Sequence, residues 1–205
     1  MIHLETITPK MHDNARIIHA SLDASYYLAG GTALALLSGH RESTDLDYFI
    51  NSHIDTLKLK TVLRSIFPTI IFTYEDVDTL WCTVDDIKVS FISRFAPRVD
   101  GILDEDVFRI AGLKDIVVMK LAAICGRDEY KDYYDLATLS TLTDVRAWVS
   151  WWNEVYPESD PISWITALSR GEASEFVTLK GPSIRSQKEI LHTLEKATKE
   201  AVSFF

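Results

Sequence analysis

The sequence YYLAGGTALALLSGHRESTDLDYFI, residues 26–50, decides the fold of the N-terminal half of this chain. Residues 26–29 form a short apolar run that predicts a β-strand, and Gly30–Gly31 predicts a tight turn after it. Residues 32–37 are typical of a helix. The run at residues 45–50 combines two aspartates with apolar side chains and predicts a second strand. The stretch therefore predicts one strand–turn–helix–loop–strand unit.

Asp45 and Asp47 are spaced one residue apart on the second predicted strand. Because successive side chains of a strand point to opposite faces, both carboxylates are expected on the same face. Two adjacent carboxylates repel each other unless a cation lies between them. Mg²⁺ is the usual cation where phosphate oxygens complete the coordination. The pair therefore predicts a divalent metal site.

The Gly30–Gly31 turn predicts a place for a phosphate group. Glycine lets the backbone approach a phosphate closely, and the N-terminus of the following helix, which we expect Thr32 to cap, attracts negative charge. A glycine pair alone predicts only a turn, and a D-x-D pair alone predicts only a solvated edge or loop. Both occur here in one structural unit with a hydrophobic second strand. Together they predict a site for a nucleoside triphosphate and its metal ion.

The composition is that of a globular protein. The chain has 205 residues, of which 47% are hydrophobic, so it can bury a sizeable core. We expect a cytoplasmic protein without membrane insertion, because no apolar run spans a bilayer and residues 1–16 carry charges where a signal peptide is apolar. The formal net charge of −9 argues against a general nucleic-acid coat, which needs many lysines and arginines.

The remaining predicted elements fall into two halves that meet within residues 94–112. In the first half, Thr8 and Pro9 predict the start of a helix, and Asp85–Asp86 predicts a hairpin turn between two strands. In the second half the period of apolar residues changes from two to about 3.6, which predicts helices. The expected strands are 69–74, 79–84 and 87–92, and the further expected helices are 55–66, 113–125, 131–142, 145–155, 162–168 and 183–203.

Two blocks of sequence resemble the AbiEii/AbiGii toxin family of nucleotidyltransferases, which is related to the DNA polymerase β-type fold. The first is LAGGTALAL followed by HRESTDLDYF, and the second is KLAAICGRDEYKDYYDLATL. The resemblance extends to about Leu142. It implies an α/β (α+β) nucleotidyltransferase fold, with a mixed β-sheet flanked by helices in residues 1–110. A C-terminal helical domain, residues 111–205, would complete the nucleotide and acceptor cleft.

The resemblance assigns roles to residues of the first block. Those implied to bind the nucleotide are Gly30, Gly31, Thr32, Arg41 and Ser43, and those implied to hold Mg²⁺ and act in catalysis are Asp45 and Asp47. Ser43 would add a hydroxyl group to the phosphate or metal site. Arg41 would support the carboxylates or bind a phosphate through two N–H groups. A structural ion pair of Arg41 with Asp45 or Asp47 is the alternative.

In the second block, the resemblance implies that Lys120 binds the triphosphate and takes part in catalysis. Lys120 lies on an otherwise apolar helix face, so the alternative is a side chain that only reaches out to solvent. Arg127 is implied to bind the nucleotide. Asp132 and Asp135 are one helical turn apart. One of them would orient Lys120 or the acceptor, and we rank Asp132 first, although either could instead cap or brace the helix.

The chain departs from the wider polymerase β-type fold at one position. That fold normally carries a third carboxylate on a later strand, where it serves as general base. In this chain the corresponding run, residues 87–92, offers Ser90, and serine cannot act as that base unaided. Three alternatives follow: Asp85, Asp86, Asp132 or Asp135 substitutes, or the base is unnecessary, or the transfer is weak or lost.

Three functions follow as hypotheses. The first is Mg²⁺-dependent transfer of a nucleoside monophosphate from a nucleoside triphosphate to a hydroxyl acceptor. By resemblance, the acceptor would be a tRNA end, and the protein the toxin of a toxin–antitoxin or abortive-infection pair with a cognate antitoxin protein. The second, favoured by Ser90, is a nucleotide-binding module that acts through a partner protein. The third is adenylylation of a small molecule, since the negative net charge would attract a cationic substrate.

Overall fold

The structure is a computed structural model that describes residues 2–182 and 184–204. The chain divides into two compact units. The first consists of Met1–Ala96 and Ile102–Ala111, and the second of Pro97–Gly101 and Gly112–Phe205. The polypeptide therefore passes between the units at three points along the sequence.

The first unit is built on a mixed β-sheet. Its strands are β1 (Tyr27–Leu28), β2 (Asp45–Ile50), β3 (Ile71–Asp76), β4 (Thr79–Val84), β5 (Ile87–Ser93), β6 (Ile102–Glu105) and β7 (Phe108–Ala111). Their order across the sheet is β3-β4-β5-β2-β1-β7-β6. The pairs β2–β5 and β1–β7 are parallel, and the other neighbouring pairs are antiparallel. The predicted mixed sheet is thus confirmed.

The side chains of the central strand β2 alternate between a buried and an open face of the sheet. Leu46, Tyr48 and Ile50 are buried, whereas Asp45 and Asp47 alternate with them and are half-buried. The ring of Tyr48 stacks on Phe91 of β5 at a centroid distance of 5.5 Å. Each of these large apolar side chains stabilises the fold by about 1.5–3 kcal/mol through burial. The hydrophobic side of β2 fixes its register, and with it the direction of both carboxylates.

Helices of the first unit begin where side chains satisfy their free N–H groups. These helices are α1 (Pro9–Ser21), α2 (Gly30–Ser38) and α3 (Thr56–Ile66), and Leu4–Thr6 forms a short 3-10 helix. The Oγ of Thr8 accepts a hydrogen bond from the Met11 N–H of α1 at 3.2 Å, as predicted. The predicted threonine cap of α2 is wrong. This helix begins at Gly30 after Ala29, so Thr32 is already inside its first turn.

One hairpin of the first unit was not predicted. Residues 94–112 were expected only as a boundary, yet they contain β6 and β7, which pair antiparallel around Asp106 and Val107. Asp106 has a φ of +55°, a conformation that two-residue hairpin turns require. A usual turn pair such as Asn-Gly is missing, so the sequence gives only a weak signal. In contrast, the predicted Asp85–Asp86 turn is confirmed, with φ angles of +50° and +67°.

The second unit is helical, as predicted. Its helices are α4 (Leu113–Gly126), α5 (Tyr130–Leu142), α6 (Val145–Val155), α7 (Ile162–Leu168) and α8 (Gln187–Val202), and Ser169–Ala173 is a 3-10 helix. Trp148 and Trp164 are fully buried in its core. Helix α8 begins later than predicted because Ser186 and Glu189 form a capping box. The predicted first residue, Ser183, lies outside the described residues. None of the helices in the described part of the chain combines the length and the hydrophobicity of a membrane span.

Candidate functional site

The two aspartates of β2 stand in register with β5 on the open face of the sheet. Asp45 pairs with Lys88, and Asp47 pairs with Ser90. The Ser90 hydroxyl donates a hydrogen bond to Oδ1 of Asp47 at 2.5 Å, which shows that both side chains point to the same face. Ser90 therefore lies directly beside Asp47 on the neighbouring strand.

The N-terminus of α2 begins next to the carboxylate of Asp47. Gly30 has a φ of +71°, and a Cβ atom added there would lie 3.3 Å from Oδ2 of Asp47. The N–H of Ala29 donates to the backbone oxygen of Asp47 at 3.0 Å. Glycine is needed at residue 30 for its backbone angle, and the short distance leaves little room for a side chain. The positive end of the α2 dipole is thereby held beside the acidic pair.

Two hydroxyl groups predicted to meet the triphosphate also hold the start of β2. Thr32 is buried, and its Oγ1 lies 2.7 Å from Oγ of Ser43. The Thr32 hydroxyl also donates to the backbone oxygen of Asp45. The backbone N–H of Ser43 donates to the Thr6 oxygen at 2.9 Å. These bonds connect α2 to the strand that carries the acidic pair, while the contact of Thr32 and Ser43 with a triphosphate stays a prediction.

Arg41 lies in the loop that leads to β2. Its side chain is buried, and its Nη1 donates to the backbone oxygen of Glu42 at 3.0 Å. A buried guanidinium group is costly unless its N–H groups are bonded, so this residue contributes to the shape of the loop. The predicted roles of Arg41 toward a phosphate or the acidic pair stay predictions.

The donor set of the first unit fits a magnesium ion that takes its remaining ligands from phosphates. Mg²⁺ is usually held by one or two carboxylates together with substrate oxygens and water. Asp45 and Asp47 provide two such carboxylates on an open face. Within residues 2–182 and 184–204, no cluster of three or more potential acidic, histidine or cysteine ligands occurs. A site complete without substrate is therefore not formed by these residues, whereas a site completed by a triphosphate is compatible with them.

The second unit contains a buried cluster of charges around Lys120. Its Nζ lies 2.7 Å from Oδ1 of Asp132 and 2.6 Å from Oδ2 of Asp135. The Nε of Arg127 donates to the other oxygen of Asp132 at 2.8 Å. The Lys120 side chain is 6% exposed and both carboxylates are fully buried, whereas Arg127 is half-exposed. Residues of α4, α5 and the segment between them thus meet in one network.

The charges of this cluster stabilise one another. Burial alone would lower the pKa of Lys120, but the attraction of Asp135 and Asp132 outweighs it, so the pKa is raised. Burial alone would raise the pKa of Asp132, but Lys120 and Arg127 outweigh it, so the pKa is lowered. Lys120 and Asp132 are therefore both held in their charged forms. An ammonium group has three N–H bonds, and these carboxylates take two of those of Lys120.

Sequence reasoning ranked Asp135 behind Asp132, yet the structure gives both the same contact with Lys120. The spacing of three residues on a helix was the signal, because it places both carboxylates on one face toward the same neighbour. The role of Ser90 toward Asp47 was also missed. The hydrogen bond from the Ser90 hydroxyl to Asp47 depends on the register of β2 and β5, which the local sequence does not show.

Comparison with known proteins identifies a family and a relative that match part of the chain. A family described as "Nucleotidyl transferase AbiEii toxin, Type IV TA system" matches residues 15–148. An uncharacterized protein of Aquifex aeolicus is 35% identical over 126 residues, which cover 59% of this chain and 60% of that protein. The chain thus matches less than two thirds of the length of this relative.

Two solved structures share the fold at low sequence identity. The nucleotidyltransferase toxin MenT4 of Mycobacterium tuberculosis has a TM-score of 0.62 and 16% identity, covering 93% of this chain and 82% of that one. A candidate nucleotidyltransferase of Helicobacter pylori has a TM-score of 0.51 and 18% identity, covering 99% of both chains. At this identity, the likeness shows the fold alone.

Proposed function

The chain belongs to the AbiEii family of nucleotidyltransferase toxins, and we propose that it catalyses nucleotidyl transfer. In the proposed Mg²⁺-dependent reaction, a nucleoside monophosphate moves from a nucleoside triphosphate to a hydroxyl acceptor. The observation that carries this proposal is the position of Asp45 and Asp47. Both lie on the open face of β2, and the carboxylate of Asp47 lies beside the glycine start of α2.

In the proposed reaction, the acceptor oxygen attacks the α-phosphorus of the triphosphate. A new oxygen–phosphorus bond forms, the bond from this phosphorus to the bridging oxygen breaks, and pyrophosphate leaves. The proton of the acceptor hydroxyl passes to solvent. When bound, Mg²⁺ neutralises charge on the phosphoryl oxygens. Catalysis of this kind depends mainly on positioning and on electrostatic stabilisation, which a rigid sheet and a fixed helix N-terminus can supply.

In this proposal, different residues of the first unit bind the metal ion, bind the phosphates and orient a carboxylate. Asp45 and Asp47 would hold the ion, and the N–H groups at Gly30–Gly31 would bind phosphate oxygens with help from the helix dipole. The Ser90 hydroxyl donates a hydrogen bond to Asp47 and so fixes the direction of that carboxylate. Ser90 does not remove the acceptor proton in this scheme.

In this proposal Lys120 and Arg127 also bind the nucleotide, and buried aspartates of the second unit orient these two cations. An ammonium group has one N–H more than the two that face Asp132 and Asp135, and in this proposal Lys120 donates to a phosphate oxygen. Arg127 is half-exposed and would add a second cationic group. In this proposal Asp132 positions Lys120 and Arg127, since it contacts both.

We also propose the biological setting. The acceptor is the end of a tRNA, the protein acts in the cytoplasm, and a cognate antitoxin protein restrains it. Family membership supports the toxin role, and the open carboxylate face supports a substrate that enters from solvent.

The first experiment is an incubation with each α-labelled nucleoside triphosphate, Mg²⁺ and total tRNA. We expect label to move to RNA with one or more triphosphates, and the double variant Asp45→Asn/Asp47→Asn to remove this transfer. Asp104→Asn is the matched control, because it neutralises an exposed acid of the same sheet on β6. Transfer that survives the double variant, or the complete lack of Asp45- and Asp47-dependent transfer to RNA, protein or small molecule, would contradict the proposal.

A nucleotide-binding module without turnover is a second candidate, and the Ser90–Asp47 hydrogen bond is the observation that favours it. In that case calorimetry would give Mg²⁺-dependent triphosphate binding while pyrophosphate release stays at background. The variant Ser90→Asp restores an acid at this position. If turnover appears only in this variant, the natural protein is the binding module. Label that appears on a small cationic molecule instead of RNA would identify the third candidate, a small-molecule adenylyltransferase.

A further inference from the structure

Two exposed aromatic rings lie in the same row of the sheet as Asp47 and Ser90. Trp81 of β4 pairs with Ser90, and Tyr74 of β3 pairs with Trp81. Because directly paired residues share a face, these four residues form one row across four strands. The ring centroids of Trp81 and Tyr74 are 4.7 Å apart, and the residues are 46% and 43% exposed. The metal-ligand face thus continues into an aromatic surface.

We propose that Trp81 and Tyr74, named here the aromatic platform, stack against an unpaired base of a single-stranded nucleic-acid acceptor. The inference rests on the proposed transfer reaction and names the residues that bind a base of its acceptor. Aromatic side chains are the usual stacking partners of unpaired bases, and this contact tolerates any base sequence.

The order of the strands places the platform on the acceptor side of the reaction. β1 lies on one side of β2 and leads directly into α2, whereas β5, β4 and β3 lie on the other side of β2. In an in-line displacement, the attacking oxygen and the leaving pyrophosphate are on opposite sides of the phosphorus. If the Gly30–Gly31 turn holds the leaving phosphates, the acceptor reaches the phosphorus from the β5 side, which is the side of the platform.

The distance suits the last nucleotides of a strand. Neighbouring strands are about 4.8 Å apart, so Trp81, two strands away from Asp47, lies about 10 Å from it along the sheet. Stacked nucleotides advance by about 3.4 Å each. A base within about three nucleotides of the reacting hydroxyl can therefore reach the platform.

The surroundings of the two rings favour a base over a folded protein as occupant. Together the rings expose on the order of 200 Å², whereas a stable protein interface buries about 800 Å² on each partner. Lys88 is exposed on the same face, in the neighbouring row with Asp45, where it can meet a phosphate of the strand. A chain with a net charge of −9 attracts nucleic acid weakly in general, so stacking has to supply much of the binding.

The ring of Tyr74 is held in place by its own hydroxyl group. This group donates a hydrogen bond to Oδ2 of Asp76 at 3.1 Å. The Tyr74–Trp81 contact holds the ring from the other side. A platform fixed in advance loses less conformational freedom on binding, which increases the affinity for a flexible strand.

Fluorescence anisotropy with a dye-labelled, single-stranded RNA oligonucleotide tests the platform without any need for turnover. We expect the double variant Trp81→Ala/Tyr74→Ala to weaken RNA binding at least about tenfold, because stacking contributes about 1–3 kcal/mol per base. Trp81→Phe keeps a ring and is expected to retain most of the affinity. Val77→Ala is the matched control, since Val77 is exposed in the turn of the same hairpin but outside the row. Thermal unfolding checks that each variant is folded.

A second probe separates stacking from charge. An RNA of equal length without bases at its last three nucleotides is expected to bind the natural protein as weakly as intact RNA binds the double variant. Equal binding of intact RNA by the natural protein and the double variant would overturn the inference, as would tight binding of the abasic strand or no RNA binding at all. Loss of binding to an antitoxin protein, with RNA binding unchanged, would assign the rings to a protein partner and also overturn it.

The same design distinguishes this inference from the proposed function. Asp45→Asn/Asp47→Asn is expected to abolish transfer and leave RNA binding unchanged, while the platform variant is expected to raise the KM for RNA and leave the KM for the triphosphate unchanged. If no triphosphate supports transfer but RNA binding still depends on Trp81 and Tyr74, the proposed function fails and the platform remains. If transfer occurs and the two KM values respond equally, the platform fails alone.

Discussion

The acidic pair of β2 and the charge cluster around Lys120 use the same residue types for opposite purposes. Asp45 and Asp47 are half-buried on an open sheet face. Asp132 and Asp135 are fully buried, and each lies within 2.7 Å of one ammonium group. The first pair has access to a ligand from solvent, whereas the second pair already has its counter-charge within the protein. The comparison shows that burial and partners, rather than residue type, decide whether a pair of carboxylates is open to a ligand from solvent or holds a neighbouring cation in place.

This difference has an energetic meaning. A carboxylate on an open face keeps much of its hydration, so its removal changes binding more than folding. A carboxylate that is fully buried has lost its hydration, so removal of its partner leaves a charge that nothing compensates. The two regions are therefore expected to respond oppositely to neutral substitutions.

The largest expected effect is on transfer activity after Asp47→Asn. The variant loses a negative ligand of the proposed ion, and we expect activity to fall at least about 10³-fold, or about 4 kcal/mol. The free energy of unfolding is expected to stay within about 1 kcal/mol of the natural value, because repulsion with Asp45 is relieved. Initial rates of label transfer and urea titrations measure both quantities. A large loss of stability would show that Asp47, like the buried cluster, contributes mainly to folding, and would contradict the comparison.

Lys120→Met is expected to have the largest effect on stability. It removes the ammonium group between two buried carboxylates, and we expect a loss of about 3–5 kcal/mol. Urea unfolding of the second unit can be followed by tryptophan fluorescence in a Trp81→Phe background, because Trp81 alone among the five tryptophans lies in the first unit. Adding Asp132→Asn and Asp135→Asn is expected to recover part of the loss. A Lys120→Met protein as stable as its parent would mean that the cluster is not a structural network.

Gly30→Ala is expected to have an intermediate effect. An alanine at a φ of +71° costs about 1–2 kcal/mol, and its Cβ would lie 3.3 Å from the Asp47 carboxylate. We therefore expect a lower melting temperature and a higher Mg²⁺ concentration for half-maximal transfer. Gly31→Ala is the matched control for stability, since Gly31 is inside α2 and alanine favours a helix. Equal melting temperatures for the two variants would contradict the argument.

The smallest expected effect is the pH dependence of the second unit. The lowered pKa of Asp132 contributes stability above about pH 4, and this contribution is lost as pH falls through the lowered value. The raised pKa of Lys120 contributes stability below about pH 10.5, and this contribution is lost as pH rises through the raised value. The urea midpoint of the natural protein is expected to fall at both ends. The triple variant Lys120→Met/Asp132→Asn/Asp135→Asn should show a flatter profile.

Much of this fold was predictable because its elements carry local signals. Helix α6 and strand β4 agree with their predicted bounds, since both have clear apolar periods. The β6–β7 hairpin escaped prediction because its turn, Asp106–Val107, lacks the residues that usually mark one. For the site, the D-x-D spacing predicted a shared face for Asp45 and Asp47. The pairing of Ser90 with Asp47 and the row to Trp81 depend on strand register, a non-local property that no local sequence pattern contains.

The interleaved path of the chain has a consequence for folding during synthesis. Pro97–Gly101 belongs to the second unit, where the N–H groups of Val99 and Asp100 donate to the carboxylate of Asp115. Yet the next ten residues return to the sheet as β6 and β7. The ribosome must therefore deliver residue 111 before the first unit is complete, and a segment of the second unit waits without its partner until Asp115 emerges. The two units therefore cannot fold strictly one after the other, because residues 97–101 of the second unit are synthesised before residues 102–111 of the first.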